Sequence, residues 1–186
     1  MNTFISIFSK YNTNKAIDYG YIYDQALTPY RENIKLLFEI GVCNGGSTRG
    51  FKEFFPNAII VGFDIDPISY FKEDRINIRI GNATTPAVIN AAIAEFGCPD
   101  ITLDDGSHRS ADIKATYKLL YPHTKFCYII EDLGTQYVTF ENGSFINDGV
   151  PATNIVHSKI DELIKYKDCE YKKIIIGHSC CLFYKN

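Results

Sequence analysis

The stretch Ile101-Thr-Leu-Asp-Asp-Gly-Ser-His108 decides how the rest of the chain is interpreted, because an apolar run ends abruptly in polar groups. This order predicts a buried parallel strand whose polar residues lie at the C-terminal edge of the sheet, where ligands bind in open α/β folds. Adjacent carboxylates repel each other and are costly to bury without a cation. We interpret Asp105 as a metal ligand and His108 as a proton acceptor. The alternative is that the acids cap the next helix and that the histidine is solvated.

A second stretch, Phe126-Cys-Tyr-Ile-Ile-Glu-Asp132, repeats this design. If the two strands are neighbours, Asp105, Glu131 and Asp132 converge on one point. Three carboxylates there require a hard divalent cation, and oxygen ligands favour Mg²⁺, Mn²⁺ or Ca²⁺ over zinc. The alternative is that Glu131 and Asp132 only cap a loop.

A glycine-rich turn follows the first predicted strand, which ends at Gly41. The spacing is neither that of the dinucleotide fingerprint nor that of a P-loop. A carboxylate at Glu39 suits a cationic ligand such as S-adenosylmethionine, which carries a sulfonium and an ammonium group. Ser47 or Thr48 is expected to cap the next helix, and Asp64, at the end of the second strand, is expected to contact an adenosine ribose.

The order of elements predicts an α/β fold. Strands alternate with helices from residue 36 to 166, which favours a mostly parallel sheet with right-handed crossovers. Tyr171–Ile176 and Cys180–Tyr184 are predicted to form a terminal hairpin. Residues 1–35 form an N-terminal arm that covers the cofactor site or, alternatively, only packs on the surface. The irregular segment 133–153 is a candidate lid or acceptor wall.

Composition limits the class of protein. The chain has 186 residues, 46% of them apolar, which suits a single domain spanning 1–186. A net charge of −3 without a basic run argues against nucleic acid or an anionic membrane as a partner. No apolar run approaches the roughly 20 residues of a membrane span, and we expect no signal peptide. Six cysteines without a CxxC pair favour reduced thiols and a cytoplasmic location.

Taken together, these motifs resemble class I S-adenosylmethionine-dependent methyltransferases. More narrowly, the chain is similar to the metal-dependent O-methyltransferases of macrolide sugars (mycinamicin and tylosin types) and to cephalosporin-hydroxylase-like methyltransferases. The resemblance covers nearly the whole chain. It rests on six segments: Lys10-Tyr-Asn-Thr-Asn-Lys15, Leu37-Phe-Glu-Ile-Gly-Val-Cys-Asn-Gly-Gly-Ser47, Gly62-Phe-Asp-Ile-Asp-Pro67, Gly81-Asn-Ala-Thr84, Asp104-Asp-Gly-Ser-His108 and Glu131-Asp132.

The resemblance implies a Rossmann-like fold with a mostly parallel seven-stranded sheet, an antiparallel C-terminal strand and helices on both faces. It assigns the magnesium ligands to Asp105, Glu131 and Asp132, and the general base to His108. The residues that it places at the cofactor are Thr13, Glu39, Gly41, Gly45, Ser47, Asp64, Asn82 and Asp105.

This chain departs from the family pattern at three positions. It has Asn12 where the family usually has glycine, and Asn14 and Asn82 where the family usually has aspartate. The changes at Asn14 and Asn82 keep hydrogen-bonding capacity but remove charge, which affects the adenosine contacts. The macrolide enzymes also have a large additional N-terminal domain that these 186 residues do not include, so their substrate and assembly are not carried over.

The expected function is a Mg²⁺-dependent (or Mn²⁺-dependent) O-methyltransferase that uses S-adenosylmethionine. The acceptor is a sugar hydroxyl, with a nucleotide sugar or glycan intermediate favoured, and a homo-oligomer is an expected assembly. The alternatives are a methyltransferase of catechols or other small diols, and a non-catalytic subunit that binds S-adenosylmethionine. An amino-group methyltransferase is disfavoured because the Asn/Asp-Pro-Pro-Tyr/Phe motif is absent after the fourth strand.

Overall fold

A computed structural model describes residues 3–15, 17–137 and 150–186. In this part of the chain, six α-helices surround one sheet of eight strands. The helices are α1 (Phe4–Lys10), α2 (Ile17–Leu27), α3 (Gly46–Phe54), α4 (Pro86–Phe96), α5 (Ser110–Leu120) and α6 (Thr153–Lys165). The strands are β1 (Leu36–Ile40), β2 (Ile59–Asp64), β3 (Lys72–Glu73), β4 (Ile76–Ile80), β5 (Ile101–Asp104), β6 (Cys127–Ile130), β7 (Tyr171–Gly177) and β8 (Cys180–Lys185).

The sheet is mostly parallel, with antiparallel strands at both edges. The strand order is β3-β4-β2-β1-β5-β6-β8-β7, and the five strands from β4 to β6 run parallel. The C-terminal hairpin adds β8 antiparallel to β6, with β7 outside it. This confirms the predicted Rossmann-like α/β fold and its antiparallel C-terminal end.

The sheet separates two apolar cores, because successive side chains of a strand point to opposite faces. On one face, β1 contributes Leu37, which packs in a cluster with α1, α2 and α3. On the other face, β1 contributes Phe38, which packs in a cluster with α4, α5 and α6. The central strands β1, β5 and β6 are buried throughout, as expected for parallel strands that helices cover on both sides.

Several details differ from the sequence-based expectations. The predicted seven strands omitted β3, a polar segment of only two residues that shows no apolar alternation. Helix α3 begins at Gly46, and its N-cap is Gly45 in the left-handed conformation, so Ser47 and Thr48 lie inside the helix and do not cap it.

The N-terminal arm is part of the core. The ring of Phe4 stacks on Phe54 of α3 with centroids 3.7 Å apart, and the Phe4 amide donates to Asp24 of α2 at 2.7 Å. Of the predicted acceptor loop, residues 138–149 lie outside the described part of the chain. Among the described helices, none combines the length and apolarity that crossing a bilayer requires.

Candidate active site

A cleft of about 330 Å³ opens at the C-terminal ends of the parallel strands. This is the edge of the sheet at which the sequence places a ligand. Six of the predicted site residues line this cleft: Gly41, Ser47, Asp64, Asn82, Asp105 and His108. Asn14, from the turn between α1 and α2, also lines it, at one of the positions where the chain departs from the family pattern.

The glycine-rich loop is held by the carboxylate of Asp64. The backbone amides of Val42 and Cys43 both donate to Asp64 Oδ2 at 2.9 Å, and the Asp66 amide donates to Oδ1 at the same distance. Burial disfavours the charged form, but these backbone hydrogen bonds outweigh it and lower the pKa of Asp64. Asp64 therefore joins β2 to the loop that follows β1 and still presents an ionised carboxylate to the cleft.

Gly41 lies where the ends of β1 and β5 meet. Its φ of 88° is in the left-handed region, and a Cβ there would overlap the backbone carbonyl oxygen of Asp105. Only glycine fits this position, so the loop that follows β1 and the loop that follows β5 are in direct backbone contact.

Three predicted cofactor residues lie outside the cleft lining. Glu39 is fully buried beneath it, where Oε1 accepts a hydrogen bond from the Ser47 hydroxyl at 2.5 Å. Burial raises the pKa of Glu39 to about 7, and Oε2 has no partner among the described residues. Gly45 instead caps α3, while Thr13 lies beside Gly46, against the start of α3.

His108 lies between two carboxylates at the cleft. Its Nε2 is 3.1 Å from Asp105 Oδ1 and 3.3 Å from Asp132 Oδ2. The hydrogen bond to Asp105 raises the pKa of His108, although partial burial opposes this. One ligand atom from each of these three residues lies within 4.8 Å of the others, and the two carboxylates of this group suit a single divalent cation.

Glu131 has different partners from those expected of a metal ligand. Its side chain is 1% exposed, with Oε1 accepting from the Tyr23 hydroxyl and Oε2 lying 2.6 Å from Lys15 Nζ. Lys15 Nζ is also 2.7 Å from Asp105 Oδ2. Burial disfavours the ammonium form of Lys15, but the carboxylates of Glu131, Asp105 and Glu39 outweigh it and raise the pKa of Lys15. The structure thus brings Asp105 and Asp132 to His108, but it places Glu131 against the N-terminal arm.

The backbone of His108 is anchored by Gln136, a residue that sequence reasoning missed. His108 has a φ of 59°, a left-handed conformation that is uncommon for a residue with a side chain. Gln136 is buried, and its amide nitrogen donates to the His108 carbonyl at 2.7 Å. Its carbonyl oxygen accepts from the Ser110 hydroxyl and from the Ala152 amide. No local sequence signal identifies this contact, because the partners are 28 residues apart.

Comparison with known proteins identifies relatives that are O-methyltransferases. No protein-family model matches the chain. The demethylmacrocin O-methyltransferase of Streptomyces fradiae is 35% identical over 124 residues, covering 62% of this chain and 31% of that protein. The 8-demethyl-8-alpha-L-rhamnosyl tetracenomycin-C 2'-O-methyltransferase of Streptomyces olivaceus is 29% identical over 154 residues, 78% of this chain and 41% of that protein. The chain therefore spans less than half the length of these curated relatives.

Solved structures show the same similarity. MycE, a methyltransferase of mycinamycin biosynthesis in complex with Mg and SAH, matches with a TM-score of 0.84 and 27% identity, over 99% of this chain and 55% of that chain. A putative caffeoyl-CoA O-methyltransferase from Staphylococcus aureus, at 15% identity and a TM-score of 0.66, shares the fold alone. The chain therefore has the fold of class I S-adenosylmethionine-dependent methyltransferases and is related to the O-methyltransferases of macrolide sugars.

Proposed function

We propose that this protein is a Mg²⁺-dependent O-methyltransferase that moves a methyl group from S-adenosylmethionine to a sugar hydroxyl. The observation that carries the proposal is the position of His108 between Asp105 and Asp132, beside the glycine-rich cleft. This arrangement provides a proton acceptor and a set of cation ligands at the place where a donor bound in the cleft would meet an acceptor.

The cleft suits the donor. Gly41 and Ser47 line it, and Asp64 presents an ionised carboxylate from the second strand, to which a ribose hydroxyl would donate a hydrogen bond. Asn82, which follows the neighbouring strand β4, also lines the cleft. Thr13, Glu39 and Gly45 support this site from outside the cleft lining.

The acidic cluster suits the metal. Asp105 and Asp132 would hold the ion, and Glu131, one residue before Asp132, is the third proposed ligand. When bound, the ion lowers the pKa of a hydroxyl that it ligates. His108 removes the hydroxyl proton, a role that contributes typically 10²–10⁴-fold to a rate, and the cleft aligns the resulting oxygen with the methyl group.

The acceptor that we favour is a nucleotide sugar or a glycan-building intermediate. The support is the sugar named in the acceptor of one relative, the rhamnosyl group of the tetracenomycin-C 2'-O-methyltransferase. The cytoplasmic location, the homo-oligomer and the absence of nucleic acid or membrane partners stay predictions from sequence.

A label-transfer screen tests the proposal. The full chain is incubated with methyl-labelled S-adenosylmethionine and a panel of nucleotide sugars, free glycans and catechols, with Mg²⁺ or with EDTA. We expect transfer to at least one sugar with Mg²⁺ and none with EDTA. Transfer that EDTA does not reduce would contradict the metal role, and transfer to catechols alone would favour the small-diol enzyme. Binding of S-adenosylmethionine with no transfer to any acceptor would favour the non-catalytic subunit.

A further inference from the structure

Lys15 is a buried lysine that forms ion pairs with two acids of the proposed metal site. We call the three acids Asp105, Glu131 and Asp132 the acidic cluster. It reaches the cluster from the turn that joins α1 to α2, and its side chain is only 1% exposed. Its ammonium group bridges Asp105 Oδ2 at 2.7 Å and Glu131 Oε2 at 2.6 Å. Both contacts have the length of charge-assisted hydrogen bonds, so one protonated lysine holds two acids from neighbouring strands.

The strand register explains why Lys15 bridges these two acids. Asp104 pairs with Ile130 across β5 and β6, so the next residues, Asp105 and Glu131, lie side by side on the face that the N-terminal arm covers. Two carboxylates that lie side by side at a buried position require a positive charge nearby. Lys15 supplies that charge from the protein itself.

The same two carboxylates are proposed ligands of the divalent ion. An ammonium group and a divalent cation at neighbouring positions repel each other, and burial leaves this repulsion less screened than it would be in water. The ion can use these oxygens fully only if the Lys15 ammonium moves away, or it must bind beside a positive charge. In either case, Lys15 weakens the binding of the ion.

We propose that Lys15 is an internal counter-cation that competes with the divalent ion for Asp105 and Glu131. This inference rests on the metal site of the proposed function. It explains how the acids stay together without an ion, and it predicts that the ion binds less tightly than the acids alone would hold it. The tyrosines of α2 keep the arm docked when Lys15 is displaced, because Tyr19 donates to Asp132 Oδ1 at 2.6 Å and Tyr23 donates to Glu131.

The test measures Mn²⁺ binding by calorimetry and by electron paramagnetic resonance, so no acceptor is required. In Lys15→Met we expect Mn²⁺ to bind about tenfold more tightly or better, since one opposing charge is removed. Without metal, the same variant should melt several degrees below the unmodified protein, because the acids lose their partner. Saturating Mn²⁺ should therefore raise its melting temperature by more than it raises that of the unmodified protein.

Two further variants serve as controls. Lys10→Met removes a lysine of the same arm that is 58% exposed and pairs with Glu53, far from the cluster, so its Mn²⁺ affinity should not change. Lys15→Gln removes the charge but keeps a polar side chain, and it replaces Lys15→Met if that variant does not fold. Affinity for S-adenosylhomocysteine reports in each case that the cleft is intact.

The outcomes separate this inference from the proposed function. If Mn²⁺ binds the unmodified protein but binds neither neutral Lys15 variant more tightly, Lys15 is not a competitor and the inference is wrong. If Mn²⁺ binds none of the proteins, the metal site of the proposed function is itself wrong. If Lys15→Met binds Mn²⁺ more tightly but the label-transfer screen finds no methylated product, the inference stands and the proposed reaction does not.

Discussion

The ends of β5 and β6 have the same sequence pattern, an apolar run followed by two acids, but their four carboxylates have four different surroundings. Asp104 is buried on the side of α5, where it accepts from Thr116, and Asp105 faces Lys15 and His108. Glu131 faces the N-terminal arm, and Asp132 turns to His108 through a left-handed backbone with a φ of 53°. The two acids of β5 thus point to opposite faces of the sheet, whereas both acids that follow β6 contact the N-terminal arm, Glu131 through Tyr23 and Asp132 through Tyr19.

The difference arises from register. The acids of β5 begin within the strand, at Asp104, whereas β6 ends at Ile130, one residue before its acids. Because Asp104 pairs with Ile130, the first acid of one pair is level with an apolar residue of the other. Two similar acidic motifs in neighbouring strands therefore need not place their first acids at the same level of the sheet.

The largest effect is expected at His108, which only the second acids of the two pairs contact. His108→Ala should reduce methyl transfer by about 100-fold or more, since the variant lacks the imidazole that removes the hydroxyl proton. Transfer of labelled methyl is measured together with affinity for S-adenosylhomocysteine, which should not change. His157→Ala, at an exposed position of α6, is the matched control. Unchanged transfer in His108→Ala would remove the base assignment.

A second prediction compares the two acids that follow β6. Asp132→Asn should weaken Mn²⁺ binding about 100-fold, because the loss of a ligand costs at least as much as the 10–100-fold typical of outer-shell partners. Glu131→Gln should weaken it less than about tenfold, since Lys15 and Tyr23 already engage that carboxylate. Calorimetry with Mn²⁺ measures both. Equal losses would show that Glu131 is as strong a ligand as Asp132.

Glu39, on β1, extends the comparison to a third strand end. Burial raises the pKa of Glu39 to about 7 from an ordinary 4.5, although Lys15 and Ser47 oppose the shift. The folded state therefore binds a proton that the unfolded state releases, and the stability that Glu39 provides falls as the pH rises from about 4.5 to 7. Glu39→Gln should remove this slope, which amounts to roughly 3 kcal/mol at most. Urea unfolding at several pH values measures it, and parallel pH profiles for the two proteins would contradict the prediction.

The smallest effect is expected at Asp104, the acid that faces away from the arm. Thr116→Val removes the hydroxyl that donates to this buried carboxyl and should cost about 1–2 kcal/mol of unfolding free energy. Mn²⁺ affinity should stay the same, because Asp104 is not among the residues that meet at His108. Thr102→Val is the control, because Thr102 lies on β5 with Asp104 but its hydroxyl pairs with Thr124. A change in Mn²⁺ affinity in Thr116→Val alone would show that Asp104 influences the ion after all.

The sequence predicts the fold well and the site only in part. Continuous apolar runs such as Leu36–Ile40 identify strands that are buried on both faces, and the polar residues that follow them identify the ligand edge. The start of α3 was missed because Ser47 resembles a helix cap, whereas Gly45 adopts the left-handed conformation that makes the turn. Lys15 was missed because its partners are 90 and 116 residues away, and register and long-range ion pairs leave no local pattern.

The hydrogen bonds that join Gln136 to His108 and Ala152 have a consequence for engineering. The residues on either side of 138–149 are fastened to each other, since Ala152 donates to Gln136 at 3.2 Å and the hydroxyls of Tyr137 and Thr153 lie 3.0 Å apart. Lengthening a segment whose ends are already joined adds little to the entropy of closing it. Stretches of different length and composition could therefore be exchanged between these anchors, as interchangeable cassettes, while the imidazole keeps its place.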